Sequence, residues 1–258
     1  MTIDIRSEAA KYYDLHKLPI DDIPFYIDRI PSQKANILEL GCGTGRVLVP
    51  LTRYCNYIHG LDISETMLKI CRDKLKGQNI PQTKVYVEIA DITDFDLGRE
   101  FDLIIAAYRV FQNLETDEQI NGLFRCIRKH LAANGTCILN VFNPFDVPEK
   151  LAEMWAGSEE YFLWEKCVEN EKITCHEKRR KIRMDPLTIY TDLIYRKYKN
   201  DKLIEEKFLN ITMRCYYPQE LEKIITEHSF KILNRWGGYN GELYGQGNEL
   251  VIEFCDNK

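Results

Sequence analysis

The chain has 258 residues, 45% of them hydrophobic, and its 35 Lys and Arg against 40 Asp and Glu leave a net charge of −5. That much apolar content fills a sizeable core and excludes a disordered chain, and the acidic balance lacks the basic footprint of a nucleic-acid binder. Nine cysteines, an odd number with no CxxC spacing, argue against a zinc site and read as reduced thiols of a cytoplasmic protein.

Residues 1–17 carry no apolar h-region, so no secretory signal is expected. No apolar run approaches the ~20 residues that span a bilayer. Up to about residue 144, short apolar runs alternate with amphipathic stretches. Residues 36–40, 57–61, 84–89, 101–106 and 136–141 are expected strands. They are mostly unalternating and separated by helices, the pattern of a parallel sheet buried on both faces. Ser64 is placed to cap a helix running to about Leu75. Thr116 and Gln119 form a capping-box pair ahead of Ile120, Leu123, Phe124, Ile127 and Leu131 on one face. Asn134-Gly135 is the expected stop. Pro50, about one turn into the helix after Gly45, is expected to shorten or kink it.

The pattern changes after Asn143-Pro144. Residues 161–215 tend to alternate polar and apolar and are rich in Tyr, Ile and Thr, as antiparallel strands with one wet face are. Pro218 opens a further helix, and two final strands lie near 231–236 and 249–254. The expected organisation is an α/β core over 1–150 and 217–258, with a β-rich cap over 151–216 above an acceptor site. The basic run 177–183 reads as a solvated strand face, and Cys175-His176 as surface.

The glycines at 41, 43 and 45 sit between an expected strand and an expected helix, where a ligand can approach the main chain closely. The dinucleotide fingerprint G-x-G-x-x-G needs a third glycine where Arg46 stands, and no GK[ST] follows, so neither that motif nor a P-loop is present. Asp62 ends the second strand, where a carboxylate can accept from a ribose diol. Asp91 ends the third, within reach of an adenine amino group. Each acid taken alone is equally well a helix cap.

With these features in place, the chain resembles the class I S-adenosylmethionine-dependent methyltransferases, in the small-molecule branch with an antiparallel cap. The stretches ILELGCGTGR (37–46), GLDISETML (60–68), EIADITDF (88–95) and FDLIIAAYRVFQNL (101–114) match that family's first four motifs in order. Residues 213–225 and 237–241 resemble its cap exit and final hairpin. The resemblance implies a Rossmann-like, seven-stranded, mostly parallel sheet flanked by helices, with the cap inserted after the fifth strand. It implies S-adenosyl-L-methionine as cofactor, with the backbone of Gly41, Cys42 and Gly43 holding the methionine part and Glu39 in support. Asp62 would take the ribose, and Ile63 and Met67 would pack on adenine. Asp91 and Ile92 would read the adenine edge, and Ala106 and Tyr108 would lie near the sulfonium. Tyr12 or Tyr13 would close over the cofactor.

Methyl transfer from a sulfonium needs alignment above all, whereas a hydroxyl or carbon acceptor usually needs a base as well. Relatives often carry a histidine in the slot held here by Asn113. No base is obvious: His130 and His228 read as surface and His59 as packed, and His16, beside the N-terminal lid, is the most plausible of the histidines. Arg109 and Arg214 are each placed either to bind an anionic acceptor or to pair with a structural acid; with Tyr13 they are the candidates for the reacting end. Trp155, Trp164, Tyr190 and Tyr195 either line an acceptor pocket or pack the cap. The expected function is methyl transfer to N or O of a small molecule, without a membrane partner. RNA or protein methylation, non-catalytic cofactor binding and nicotinamide chemistry are the alternatives, and the sequence leaves the oligomeric state open.

Overall fold

A computed structural model describes residues 9–15, 21–144, 146–157 and 159–257. Two short helices, α1 (Ala10–Tyr13) and α2 (Ile23–Ile27), precede β1 (Asn36–Leu40). The helix after the glycine turn, α3 (Leu48–Leu51), has a single turn containing Pro50. Then come β2 (Tyr57–Asp62), α4 (Glu65–Gly77), β3 (Val85–Ile89), β4 (Phe101–Ala106), a 3₁₀ turn (Val110–Asn113), α5 (Asp117–His130) and β5 (Leu131–Phe142). Both helix starts fall where the capping residues stand. Ser64 Oγ accepts from the Met67 amide, and Thr116 and Gln119 form a reciprocal capping box.

The seven-stranded sheet is completed by the last two strands, β10 (Phe230–Trp236) and β11 (Glu249–Asp256), in the order β10-β11-β5-β4-β1-β2-β3. Only β11 runs antiparallel to its neighbours. Side chains alternate across this sheet as its pleat dictates. Leu38, Leu40, Ile104, Leu139 and Val141 enter the core shared with α5, and Ile37, Leu103, Ile105 and Ile138 enter the core beneath α2 and α3. Burial on both faces is why these strands read as unbroken apolar runs. After β3 the chain crosses back to the far side of β1, so the strand order reverses between β1 and β4. The crevice beyond their carboxyl ends is where open α/β sheets bind ligands.

The expected helix stop at Asn134-Gly135 is corrected. The α5 helix ends at His130, and β5 begins at Leu131, paired with Phe101. The His130 side chain, expected at the surface, is buried. Its Nδ1 donates to the Cys126 carbonyl (2.7 Å), and its Nε2 accepts from the Leu97 amide (2.9 Å). Gly135 serves a close backbone approach, since a Cβ there would lie 2.8 Å from the Phe101 carbonyl oxygen.

Between β5 and β10 lie α6 (Pro148–Met154) and a four-stranded antiparallel meander, β6 (Glu160–Val168), β7 (Glu171–Met184), β8 (Leu187–Lys199) and β9 (Lys202–Arg214). Glu169-Asn170 and Asn200-Asp201 close two hairpins with positive φ at both residues, the geometry that matches strand twist. Helix α7 (Pro218–Glu227) returns the chain to the core. Cys175, expected at the surface, is buried on the inner face of this cap beside Tyr195. Arg179 and Arg180 of the basic run pair with Glu177 and Asp192.

Candidate cofactor and acceptor site

The glycine turn leaves β1 with Gly41 at φ +69° and Gly43 at φ +54°, values that disfavour any side chain. Gly41 also needs its missing Cβ, which would stand 2.0 Å from Val110 Cγ2. At Gly43 a Cβ would meet only Asp62 Oδ2, at 3.9 Å, so that face of the turn is open. The turn is fastened to the end of β2. The Cys42 amide donates to the Leu61 carbonyl (2.9 Å), and the Gly43 amide donates to Asp62 Oδ2 (2.8 Å). Asp62 Oδ1 accepts from the Ser64 amide (2.9 Å), so this buried carboxylate is held at both oxygens.

Glu39, two residues before the turn, is buried. Its Oε2 has no hydrogen-bond partner among the described residues. Desolvation pushes its carboxyl well above the usual range, although nearby Arg46 works the other way. Arg46 is itself taken by Asp22, a fully buried acid just ahead of α2, through two contacts of 2.5 and 2.8 Å. Reading the sequence missed Asp22; an acid next to a short helix carries no distinguishing signal.

On the side expected to hold adenine, Ile63 is 49% exposed while Met67 is buried. Asp91 is exposed, and its Oδ1 accepts from both the amide and the hydroxyl of Thr93. That oxygen thus serves a local turn. The Ile92 side chain points into the core.

At the exit of β4, Ala106 is buried and Tyr108 and Arg109 both adopt left-handed backbone, φ +49° and +66°. Each such non-glycine residue costs about 1–2 kcal/mol. Arg109 Nη2 donates to Glu249 Oε1 (2.5 Å), and Arg214 Nη1 donates to Asp117 Oδ1 (2.7 Å). Both arginines expected near the acceptor are therefore committed to carboxylates. Gln112, fully buried, donates to the Arg214 carbonyl and accepts from the Phe142 amide, tying this segment to β5 and the cap exit. Asn113 donates to the Val110 carbonyl within its own turn.

The N-terminal segment bridges core and cap. Asp14 accepts from Thr44 in the glycine turn (2.8 Å) and pairs with Lys74 of α4 (2.8 Å). Tyr12 is turned to the cap. It is buried against the cap, stacked on Tyr195 at 5.2 Å with its hydroxyl donated to Glu205. Burial, followed by the Glu205 contact, pushes its phenol up to about 12. Tyr13 is the half-exposed tyrosine of the pair, close enough to Arg46 and Tyr195 to influence both electrostatically. Trp164 packs with Tyr195. His16 lies outside the described residues. His59 packs as expected, with Nε2 2.8 Å from Glu88.

Residues 37–135 match the family model of a methyltransferase domain. Those residues carry a methyltransferase domain. The fold agrees. The chain superposes on the CcbJ methyltransferase from Streptomyces caelestis with a TM-score of 0.77 at 20% identity, covering 99% of this chain and 98% of that one. CalS10 from Micromonospora echinaspora, an amino pentose methyltransferase, gives 0.70 at 18% identity over 95% of both chains. By sequence, the chain is 27% identical over 160 residues to the dTDP-3-amino-3,4,6-trideoxy-alpha-D-glucopyranose N,N-dimethyltransferase of Streptomyces venezuelae. That match takes in 59% of this chain and 63% of that relative. The site fits the cofactor of such a domain. The lone Glu39 oxygen offers an acceptor near the turn, and the open face at Gly43 leaves room for a ligand against the backbone.

Proposed function

We propose that this chain binds S-adenosylmethionine in the crevice between the glycine turn and the end of β2, and transfers its methyl group to a small-molecule acceptor, an amine foremost. The observation that carries the reading is the Asp62 carboxylate fastened to the Gly43 and Ser64 amides beside an open glycine backbone. Gly41 and Gly43 would hold the methionine part, Asp62 the ribose, and Ile63 and Met67 the adenine face. Once bound, the cofactor supplies a methyl group on a cationic sulfur that leaves as a neutral thioether. The residues at the exit of β4 would orient the acceptor, and the cap over 151–216 would enclose it.

The amine preference rests on two points. The Streptomyces venezuelae relative is an amino-sugar N,N-dimethyltransferase. At the reacting end, Asn113 is spent on a local turn; a neutral amine attacks without a base in that slot. The net charge of −5 favours a small molecule over nucleic acid. Nine cysteines without a disulfide fit a reducing cytoplasm.

The experiment is incubation with methyl-labelled cofactor and, in parallel, a panel of nucleotide-linked amino sugars, a metabolite extract, bulk RNA and bulk protein. Label in an amine-bearing small molecule is the expected result. Label in RNA or protein alone overturns the acceptor class, and label in nothing overturns the activity.

A further inference from the structure

Two guanidinium groups lie over the Tyr108 ring, Arg46 at 5.2 Å from its centroid and Arg109 at 5.6 Å. Each arginine is locked by a buried acid from a distant part of the chain, Asp22 for Arg46 and Glu249 for Arg109. The Glu249 side does more than hold one cation. Its Oε1 accepts from Arg109 Nη2 at 2.5 Å, and its Oε2 accepts from Asn140 Nδ2 at 2.9 Å. The Asn140 Oδ1 then accepts from the Arg109 backbone amide at 3.2 Å. One three-residue network thus grips both the side chain and the main chain of Arg109, from the adjoining strands β5 and β11.

The backbone held there is strained: Tyr108 and Arg109 are consecutive non-glycine residues at positive φ. Outside a hairpin turn such a conformation persists only where its surroundings over-determine it, and strain of this kind gathers at working sites. An unclamped chain would relax the pair toward ordinary values and swing the Tyr108 ring. We infer that Glu249 is a positioning residue. Through Asn140 and Arg109 it holds the left-handed turn that aims Tyr108 at the reacting end of the cofactor crevice. This role for Tyr108 rests on the methyltransferase reading above; the clamp itself does not depend on it. Burial pushes the Tyr108 phenol up, with Arg109 and Arg46 opposing, so the ring works as a protonated wall.

The test compares wild type, Glu249→Gln, Tyr108→Ala and the double variant. Glu249→Gln keeps the volume and removes the charge. Two readouts are taken: amide hydrogen exchange over residues 107–113, and the affinity for S-adenosylmethionine by calorimetry. Glu249→Gln is expected to speed exchange in that segment several-fold and to weaken the cofactor about tenfold, the scale of one lost charge-assisted contact. In the Tyr108→Ala background the same change is expected to cost no further affinity, because the contact it supports is gone. Unchanged exchange overturns the clamp. Affinity losses that simply multiply overturn its action through Tyr108. Should wild type bind no S-adenosylmethionine, the functional reading falls, and the exchange data still decide whether Glu249 holds the turn. If Glu249→Gln fails to fold, Asn140→Ser, which removes the other arm of the network, is measured in its place with the same expectations.

Discussion

Gly43 and Asp62 are joined across the ends of two neighbouring strands by one hydrogen bond of 2.8 Å, from the glycine amide to Asp62 Oδ2. With Asp62 Oδ1 accepting from Ser64, the acid acts as a bracket between the glycine turn and the start of α4. The helix-cap and ligand-binding readings of this acid are therefore compatible. The carboxylate supports the cap through one oxygen and shapes the turn through the other.

Gly41→Ala is expected to destabilise the protein by about 2–5 kcal/mol, adding the left-handed backbone cost to the overpacking cost. The new methyl would stand 2.0 Å from Val110 Cγ2. Chemical denaturation reads the loss, and adding Val110→Ala should recover part of it. A midpoint unchanged by Gly41→Ala would mean that the turn and the 3₁₀ segment do not touch.

Asp22→Ala should cost about 3 kcal/mol or more, because it strips Arg46, whose side chain is only 21% exposed, of its hydrogen-bonded carboxylate. Lys11→Ala removes an ion pair to Glu205 whose lysine is 55% exposed, and should cost under about 1 kcal/mol. Urea unfolding of the two variants checks the contrast. Equal losses would contradict the burial assigned to Asp22.

Glu39→Gln should stabilise the cofactor-free protein at neutral pH. Burial raises the folded-state pKa of Glu39 well above its ordinary 4.5. For an acid shifted upward, the unfolded chain ionises first, so stability is fully present below the unfolded value and is lost as pH rises past it. Glutamine never ionises and escapes that loss. The gain in melting temperature should be clear at pH 7 and vanish below about pH 4.5. A gain independent of pH would place its cause elsewhere.

The strands at 36–40 and 101–106 were legible because burial on both faces leaves an unbroken apolar run. The caps at Ser64 and Thr116 were legible because the rule is local. Local reasoning failed at Gly135, whose glycine answers to the Phe101 backbone in a neighbouring strand. It failed equally at His130, which its position at a helix end placed at the surface and the Leu97 amide draws inside. For Arg109 the choice between ligand and structural partner turned on Glu249, 140 residues away, and for Arg214 on Asp117, 97 residues away. Pairings at such separations leave no trace in spacing or periodicity. Tyr12 went to the cap for the same reason, since Glu205 and Tyr195 meet it only in three dimensions.

The crevice beside Gly43 and Asp62 is proposed to bind S-adenosylmethionine, and titration calorimetry of wild type and Asp62→Ala with S-adenosylmethionine and with NAD checks this. Wild type is expected to bind S-adenosylmethionine and not NAD, and Asp62→Ala to weaken binding about tenfold or more. Binding of NAD instead, or an affinity for S-adenosylmethionine untouched by Asp62→Ala, would contradict it.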